Sequence, residues 1–330
     1  MSRINELLTP RGIRAEFETA LAQMNALSTL GMVCELTSSD SSGETYPILG
    51  ANPTLELFQG KPKVQKYNTG KIIVLNDEYQ VAIELKDQDI RRDRHGMLLK
   101  RAGSFASAQD IHSFELRTQL ILDGESGLAH DGGAFFATSH SWGKSGTQSN
   151  LDSYDISGLP VSSHGADKDT PSVQEAAYIL GDVASKLTNF KNDQAKFAYI
   201  MRRKFLVEVP RKYFQAFNAA AGSMVFGGGE YNPLANMKAM GVEFDVRVNP
   251  YFTASLPDSI VVYAVDEMGE KALIFQSEEL AGANQSGVAI EVLGPGSEYW
   301  RLNHKSIVNA WASRGVGYNQ PLSAFKATLT

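Results

Sequence analysis

Residues 60–93 read GKPKVQKYNTGKIIVLNDEYQVAIELKDQDIRRD. The second half alternates, with Tyr79, Val81, Ile83 and Leu85 on one side and Gln80, Ala82 and Glu84 on the other. Period-two alternation over seven residues is the signature of a β-strand. Upstream lies a second apolar run, Lys71-Ile72-Ile73-Val74-Leu75, closed by Asn76-Asp77-Glu78. Residues of that kind favour a turn, so the two runs are expected to fold back on each other as an antiparallel hairpin. A shorter run over 64–67 ends at Asn68-Thr69-Gly70, another turn signal. The stretch therefore reads as a long β-ribbon carrying Lys61, Lys63, Lys66 and Lys71.

A two-stranded ribbon is marginal in water. Burying a large apolar side chain is worth roughly 1.5–3 kcal/mol. Tyr79, Val81, Ile83 and Leu85 thus need a surface, supplied by this chain or by another.

The 330 residues are enough for one large domain or two. Apolar residues make up 43% and charged residues 21%, an ordinary globular balance, and the net charge of -6 argues against a wholly basic nucleic-acid binder. A single cysteine, Cys34, excludes an internal disulfide framework and a four-cysteine zinc site. No apolar run reaches the roughly 20 residues that span a bilayer, and the first residues lack a signal-peptide core. Synthesis in the cytoplasm is the expectation.

Taken in order, residues 1–12 read as an arm and 13–27 as a helix with Ile13, Phe17, Ala20, Leu21 and Met24 on one face. Residues 35–43 read as loop from their Ser, Thr and Asp content. The eight charges in residues 84–94 read as a solvated turn or helix start. Ile111, Phe114, Thr118 and Ile121 mark an amphipathic helix that begins between Met97 and Phe105 and stops at Gly124. Residues 124–170 are loop-like, unusually long for a compact protein. Ser172 caps a helix whose apolar face is Ala176, Ile179, Leu180, Val183 and Leu187. Strands are expected at 205–209, 242–248, 260–265, 272–275 and 288–292, a helix at 212–221, and strand-like alternation from Trp300 onward. Gly227-Gly228-Gly229 reads as a flexible loop. The class is α+β, with helices and strands in no regular alternation.

Candidate chemistry is sparse. His130, Asp131 and His140 could be assembled into a metal site, but their spacing fits no helical ligand pair, and loop hydrogen bonding is the simpler reading. Gly124-Glu125-Ser126-Gly127-Leu128 lacks the second glycine of a nucleophile elbow, and Gly227-Gly228-Gly229-Glu230 lacks the lysine of a phosphate loop. Cys34 reads as a buried inert thiol. No catalytic, cofactor or metal residue is assigned.

Several stretches, in order, resemble one family: LLTPRGIRAEF at 7–17, YPILGA at 46–51, DQDIRRDRHG at 87–96, HDGGAFFATSH at 130–140, VNPYFT at 248–253 and RGVGY at 314–318. The chain resembles the major head subunit of Mu-like phages and prophages, the gpT family. That resemblance implies a major capsid protein with the Hong Kong 97-like fold. It divides the chain into an N-terminal arm and helix (1–44), an extended β-ribbon loop (45–93), a peripheral domain with a long spine helix (94–194), an axial domain (195–298) and a return to the peripheral domain (299–330). It also implies no enzyme activity, self-assembly into pentamers and hexamers around double-stranded DNA, a place in the virion, and separate scaffold, portal and decoration partners. The ribbon's missing surface would then be a neighbouring subunit, with Lys61, Lys63, Lys66, Lys71, Tyr79, Val81, Ile83 and Leu85 as inter-subunit contacts. The lysines are expected to be solvated or salt-bridged rather than cross-linked. An encapsulin-like nanocompartment and a metal-dependent hydrolase using His130, Asp131 and His140 are the alternatives.

Overall fold

The structure is a computed structural model that describes residue 19 and residues 29–50, 69–92, 97–197, 199–227, 229–267, 270–279 and 287–330. The expected arm, the short run at 64–67, and Lys61, Lys63 and Lys66 lie outside the described residues. Of the helix expected over 13–27 only Thr19 is described, and it is helical.

Twelve strands are described: β1 (Cys34–Ser39), β2 (Gly43–Leu49), β3 (Thr69–Leu75), β4 (Asp77–Lys86), β5 (Leu151–Tyr154), β6 (Lys204–Val209), β7 (Glu243–Val248), β8 (Ser259–Ala264), β9 (Leu273–Glu278), β10 (Val288–Leu293), β11 (Lys305–Tyr318) and β12 (Ala324–Leu329). The principal helices are α1 (Met97–Leu122), α2 (Val173–Asn189), α3 (Phe214–Gly222) and α4 (Pro233–Ala239). Among the described residues the strands form one sheet ordered β1-β9-β11-β10 with β4 beside β11, a second ordered β5-β12-β8-β6-β7, and the two-stranded ribbon β2-β3.

Two sequence readings change. Residues 35–43 are mostly strand: β1 runs parallel to β9, with Cys34 opposite Leu273. Its burial does not alternate, so no period-two signal marked it. The alternation expected from Trp300 starts only at Lys305, because Glu298–Asn303 is helical, whereas the charged run holds a short helix, Asp87–Arg92, one of the two forms expected of it. Each sheet draws strands from distant parts of the chain. β9 and β10 pair in the sheet of β4 and β11, whereas β5 and β12 join the sheet of β6, β7 and β8.

The second sheet is the centre of the molecule. Every residue of β8 is buried, and so are Phe205 through Val209 of β6. Strands covered on both faces read as continuous apolar runs. On one face Phe205, Val207, Val209, Ile260, Val262 and Phe325 pack against α2 residues Ile179, Leu180, Val183 and Leu187. Ser172 and Glu175 close a capping box at the α2 N-terminus, so that helix starts where its Ser-x-x-Glu pattern put it. On the other face Leu206, Val261 and Tyr263 join Ile121 of α1, Phe135, Phe136, Cys34 and Leu273 in a second core. Burial pushes the Cys34 thiol up to about 12, an unreactive state.

Alternation along β6 turns Glu208 into that second core. There it meets Arg117 of α1, whose side chain is wholly buried, at 2.5 Å. The second carboxylate oxygen of Glu208 accepts from Tyr263 Oη and Asn249 Nδ2, each at 3.2 Å. The Arg117 guanidinium lies 4.6 Å over the Phe114 ring, and its Nε and Nη1 are buried without a hydrogen-bond partner. A buried pair of this kind contributes little net stability, yet removing one partner strands a charge in the core. Arg117→Met alone and Glu208→Met alone are each expected to cost about 3–5 kcal/mol in urea unfolding, and the double variant much less than the sum.

Candidate assembly surface

The ribbon is β2 against β3, not β3 against β4. Antiparallel pairing runs from Gly43 opposite Leu75 to Leu49 opposite Thr69. β4 pairs instead with β11, from Lys86 opposite Lys305 to Asp77 opposite Arg314. The reason lies at Asn76, the single residue between β3 and β4. The tightest common hairpin needs a two-residue turn. Asn76 donates from its backbone to Ser42 O at 2.9 Å and from its side chain to Ser41 O at 2.8 Å, and accepts from Gln276 Nε2 at 2.7 Å. These bonds carry an extended chain from one sheet into the next.

The apolar stripe of β4 therefore meets its own chain at both ends. Tyr79 sits edge-on to the His112 ring of α1, with centroids 4.2 Å apart, and Leu85 is buried. Ile83 is half-buried and Val81 exposed. Lys71 is exposed on β3.

The base of the ribbon is fixed by two glycines. A Cβ on Gly315 would lie 2.3 Å from Leu75 O, and one on Gly317 would lie 2.6 Å from Val74 Cγ2. Val74 is buried as a result, and β3 rides directly on β11. Tyr46 of β2 donates to Gln276 Oε1 at 2.6 Å and ties the other strand to β9. Glycine inside an alternating strand signals close backbone approach, so the motif at 314–318 did hold this information.

Outward from that base, Ile73 and Leu75 of β3 are 58% and 67% exposed. A second apolar group surrounds the bridge between Val225 and Tyr231, where Met224 and Met240 are 72% and 74% exposed. The glycines at 227 and 229 close a tight turn there rather than an open loop; Gly229 has φ 88°. These two exposed apolar groups are candidate contact surfaces among the described residues.

The residues considered for a metal do not converge. His140 Nδ1 meets Asp131 Oδ2 at 2.7 Å, and its Nε2 lies 3.2 Å from both Phe135 O and Asn150 Oδ1. His130 turns to Asn319 O at 3.3 Å and packs edge-on against Trp142. Among the described residues no group of three or more His, Cys, Asp or Glu could hold a metal ion. The pair instead pins the loop that follows α1. Burial works to raise the Asp131 carboxyl, but its hydrogen bond to His140 and the Gly133 N–H bring it below the ordinary value.

Gly317→Val should displace β3 from β11, raising amide exchange across residues 69–75 while β6 and β8 stay protected. Asp131 supplies a pH test. Its folded pKa is depressed, so its contribution is complete above the unfolded value and is lost as pH falls through the folded one. The stability gap between the parent chain and Asp131→Asn should therefore be full above pH about 5 and shrink as pH falls from there through the depressed folded value, as read by thermal unfolding.

Among the described residues no helix is long and apolar enough to cross a membrane. No curated protein sequence matches the chain. In fold it is similar to a chain of the bacteriophage JBD30 procapsid, at 15% identity and a TM-score of 0.50 over 97% of this chain and 76% of that one. A chain of the cyanophage P-SCSP1u capsid gives 11% identity and 0.53 over 90% and 86%, and one of the bacteriophage JBD30 capsid 17% and 0.51 over 68% and 90%. Residues 7–160 match the family described as Mu-like prophage major head subunit gpT. Over those residues the chain is similar to that family, and over its length it has the Hong Kong 97-like fold of phage capsid proteins.

Proposed function

We propose that this chain is the repeating subunit of an icosahedral phage head, assembling as pentamers and hexamers into a shell that encloses double-stranded DNA. The observation that carries the reading is the ribbon: its base is pinned on β11 at Gly315 and Gly317, while Ile73 and Leu75 are left to solvent. A fixed base with an exposed apolar strand suits a contact repeated many times between copies. The match to a head subunit favours a head over an enzyme-filled compartment.

In this reading α1 is the spine helix, the sheet around β11 belongs to the peripheral domain, and the sheet around β8 with α2, α3 and α4 forms the axial domain. The apolar turn at 224–231 would face other copies, as would Val81, Lys71 and the ribbon lysines Lys61, Lys63 and Lys66. Scaffold, portal and decoration proteins would be separate chains. The net charge of -6 suits DNA held by enclosure rather than by tight binding.

Replacing residues 50–68 by Asn-Gly closes β2 and β3 with a two-residue turn. That variant should stay folded by circular dichroism and form no shells by negative-stain microscopy. Shells of parental size would remove the ribbon from assembly.

A further inference from the structure

Arg314 of β11 is 3% exposed. Its Nη1 donates to Gln109 O at 3.1 Å and lies 3.4 Å from His112 Nδ1, and its guanidinium carbon stands 5.9 Å over the Phe275 ring. A guanidinium has donors and no acceptor, and it stays charged at any pH at which the chain is folded. His112 Nδ1 must therefore accept, which fixes the tautomer: the ring is neutral and its one proton sits on Nε2. The same ring meets Tyr79 of β4 edge-on, with centroids 4.2 Å apart. One imidazole thus joins α1, β4 and β11, and its contact with β11 exists only while it carries no charge.

The groups around the ring decide what a second proton does. On α1 Glu115 attracts it, but that carboxylate is exposed and already accepts from Tyr251 Oη at 2.5 Å. On β11 the buried Arg314 repels it. On β4 Tyr79 is a neutral phenol, kept so by burial and by Asp77, which stands opposite Arg314 in the strand pairing. Burial and the Arg314 charge outweigh Glu115 and hold His112 below the ordinary histidine value. Protonation turns Nδ1 from an acceptor into a donor and sets two donors and two positive charges against each other. Arg314 cannot lose its proton and is itself held by Gln109 O, so relief comes from moving the ring, on which Tyr79 is packed.

We propose that His112 is an acid-sensitive latch: neutral, it holds β4 and β11 against α1, and protonated it releases the Tyr79 end of β4. That end leads through Asn76 into β3, so release acts at the base of the ribbon. The folded ring takes a proton less readily than the unfolded one. Its contribution is therefore complete above the unfolded value of 6.5 and is lost as pH falls through that value toward the depressed folded one. The latch belongs to the folded subunit and does not rest on the assembly reading.

Amide hydrogen exchange on the full chain, digested after labelling and corrected for intrinsic rates, reads the latch. Between about pH 7 and about pH 5, protection over residues 77–82 should fall about fivefold or more while β6 and β8 hold theirs. His112→Asn places an acceptor oxygen near the Nδ1 position and does not titrate, so its protection there should change by less than about twofold. His112→Lys carries a permanent charge and should show the low protection at both pH values. Unchanged protection in the parent, an equal fall in His112→Asn, or a fall shared by β6 and β8 overturns the latch. Deuterium uptake at the His112 ring Cε1–H, followed by mass spectrometry across pH, gives the ring's own titration in the parent chain and needs no variant. A midpoint below 6.5 is expected, and one at or above it overturns the latch.

Discussion

The ion pair between Arg117 and Glu208 fixes the relation between the long helix and the central sheet. Glu208 is one residue of β6, and its neighbours Val207 and Val209 face the core under α2. Because strand side chains alternate, Glu208 must face α1, and a charge there is tolerable only if a cation meets it. Arg117 does so from the last third of α1, with Tyr263 and Asn249 filling the other carboxylate oxygen. An apolar pair could give equal stability, but it would tolerate sliding of the helix along the sheet. A hydrogen-bonded charge pair fixes one register.

That register sets everything on the far side of α1. Tyr79 of β4 lies against His112, five residues before Arg117, and Arg314 of β11 donates to Gln109 O at 3.1 Å. β11 runs on through Gly315 and Gly317, where β3 crosses it. A continuous series of contacts therefore leads from the buried carboxylate of β6 to the base of the ribbon. Under the proposed function, a subunit that matches its neighbours repeatedly needs its projecting parts set by its core, and this series supplies the link.

The surfaces left for other copies share a pattern. Each rises from a hydrogen-bonded base. The turn at 225–231 is closed by a single β-bridge between Val225 and Tyr231, and the loop after α1 is held together by Asn150, His140 and Asp131. Rigid bases of this kind reduce the entropy lost when copies dock.

The sequence by itself determined the local elements. The alternation at 79–85, the capping box at Ser172 and Glu175, the stripe of α2 and the buried runs at 205–209 and 260–265 each became the element that its period demanded, because those signals are local. The ordered motifs also pointed to the family that residues 7–160 match. Only the tertiary structure decided pairing. β4 found β11 rather than β3 because one residue, Asn76, cannot turn a hairpin, and β2 paired with β3 across a gap that no local pattern spans. The same holds for Arg117 and the two glycines of β11. Their roles arise from residues distant in sequence, and a one-dimensional period carries no information about which partner a face will meet.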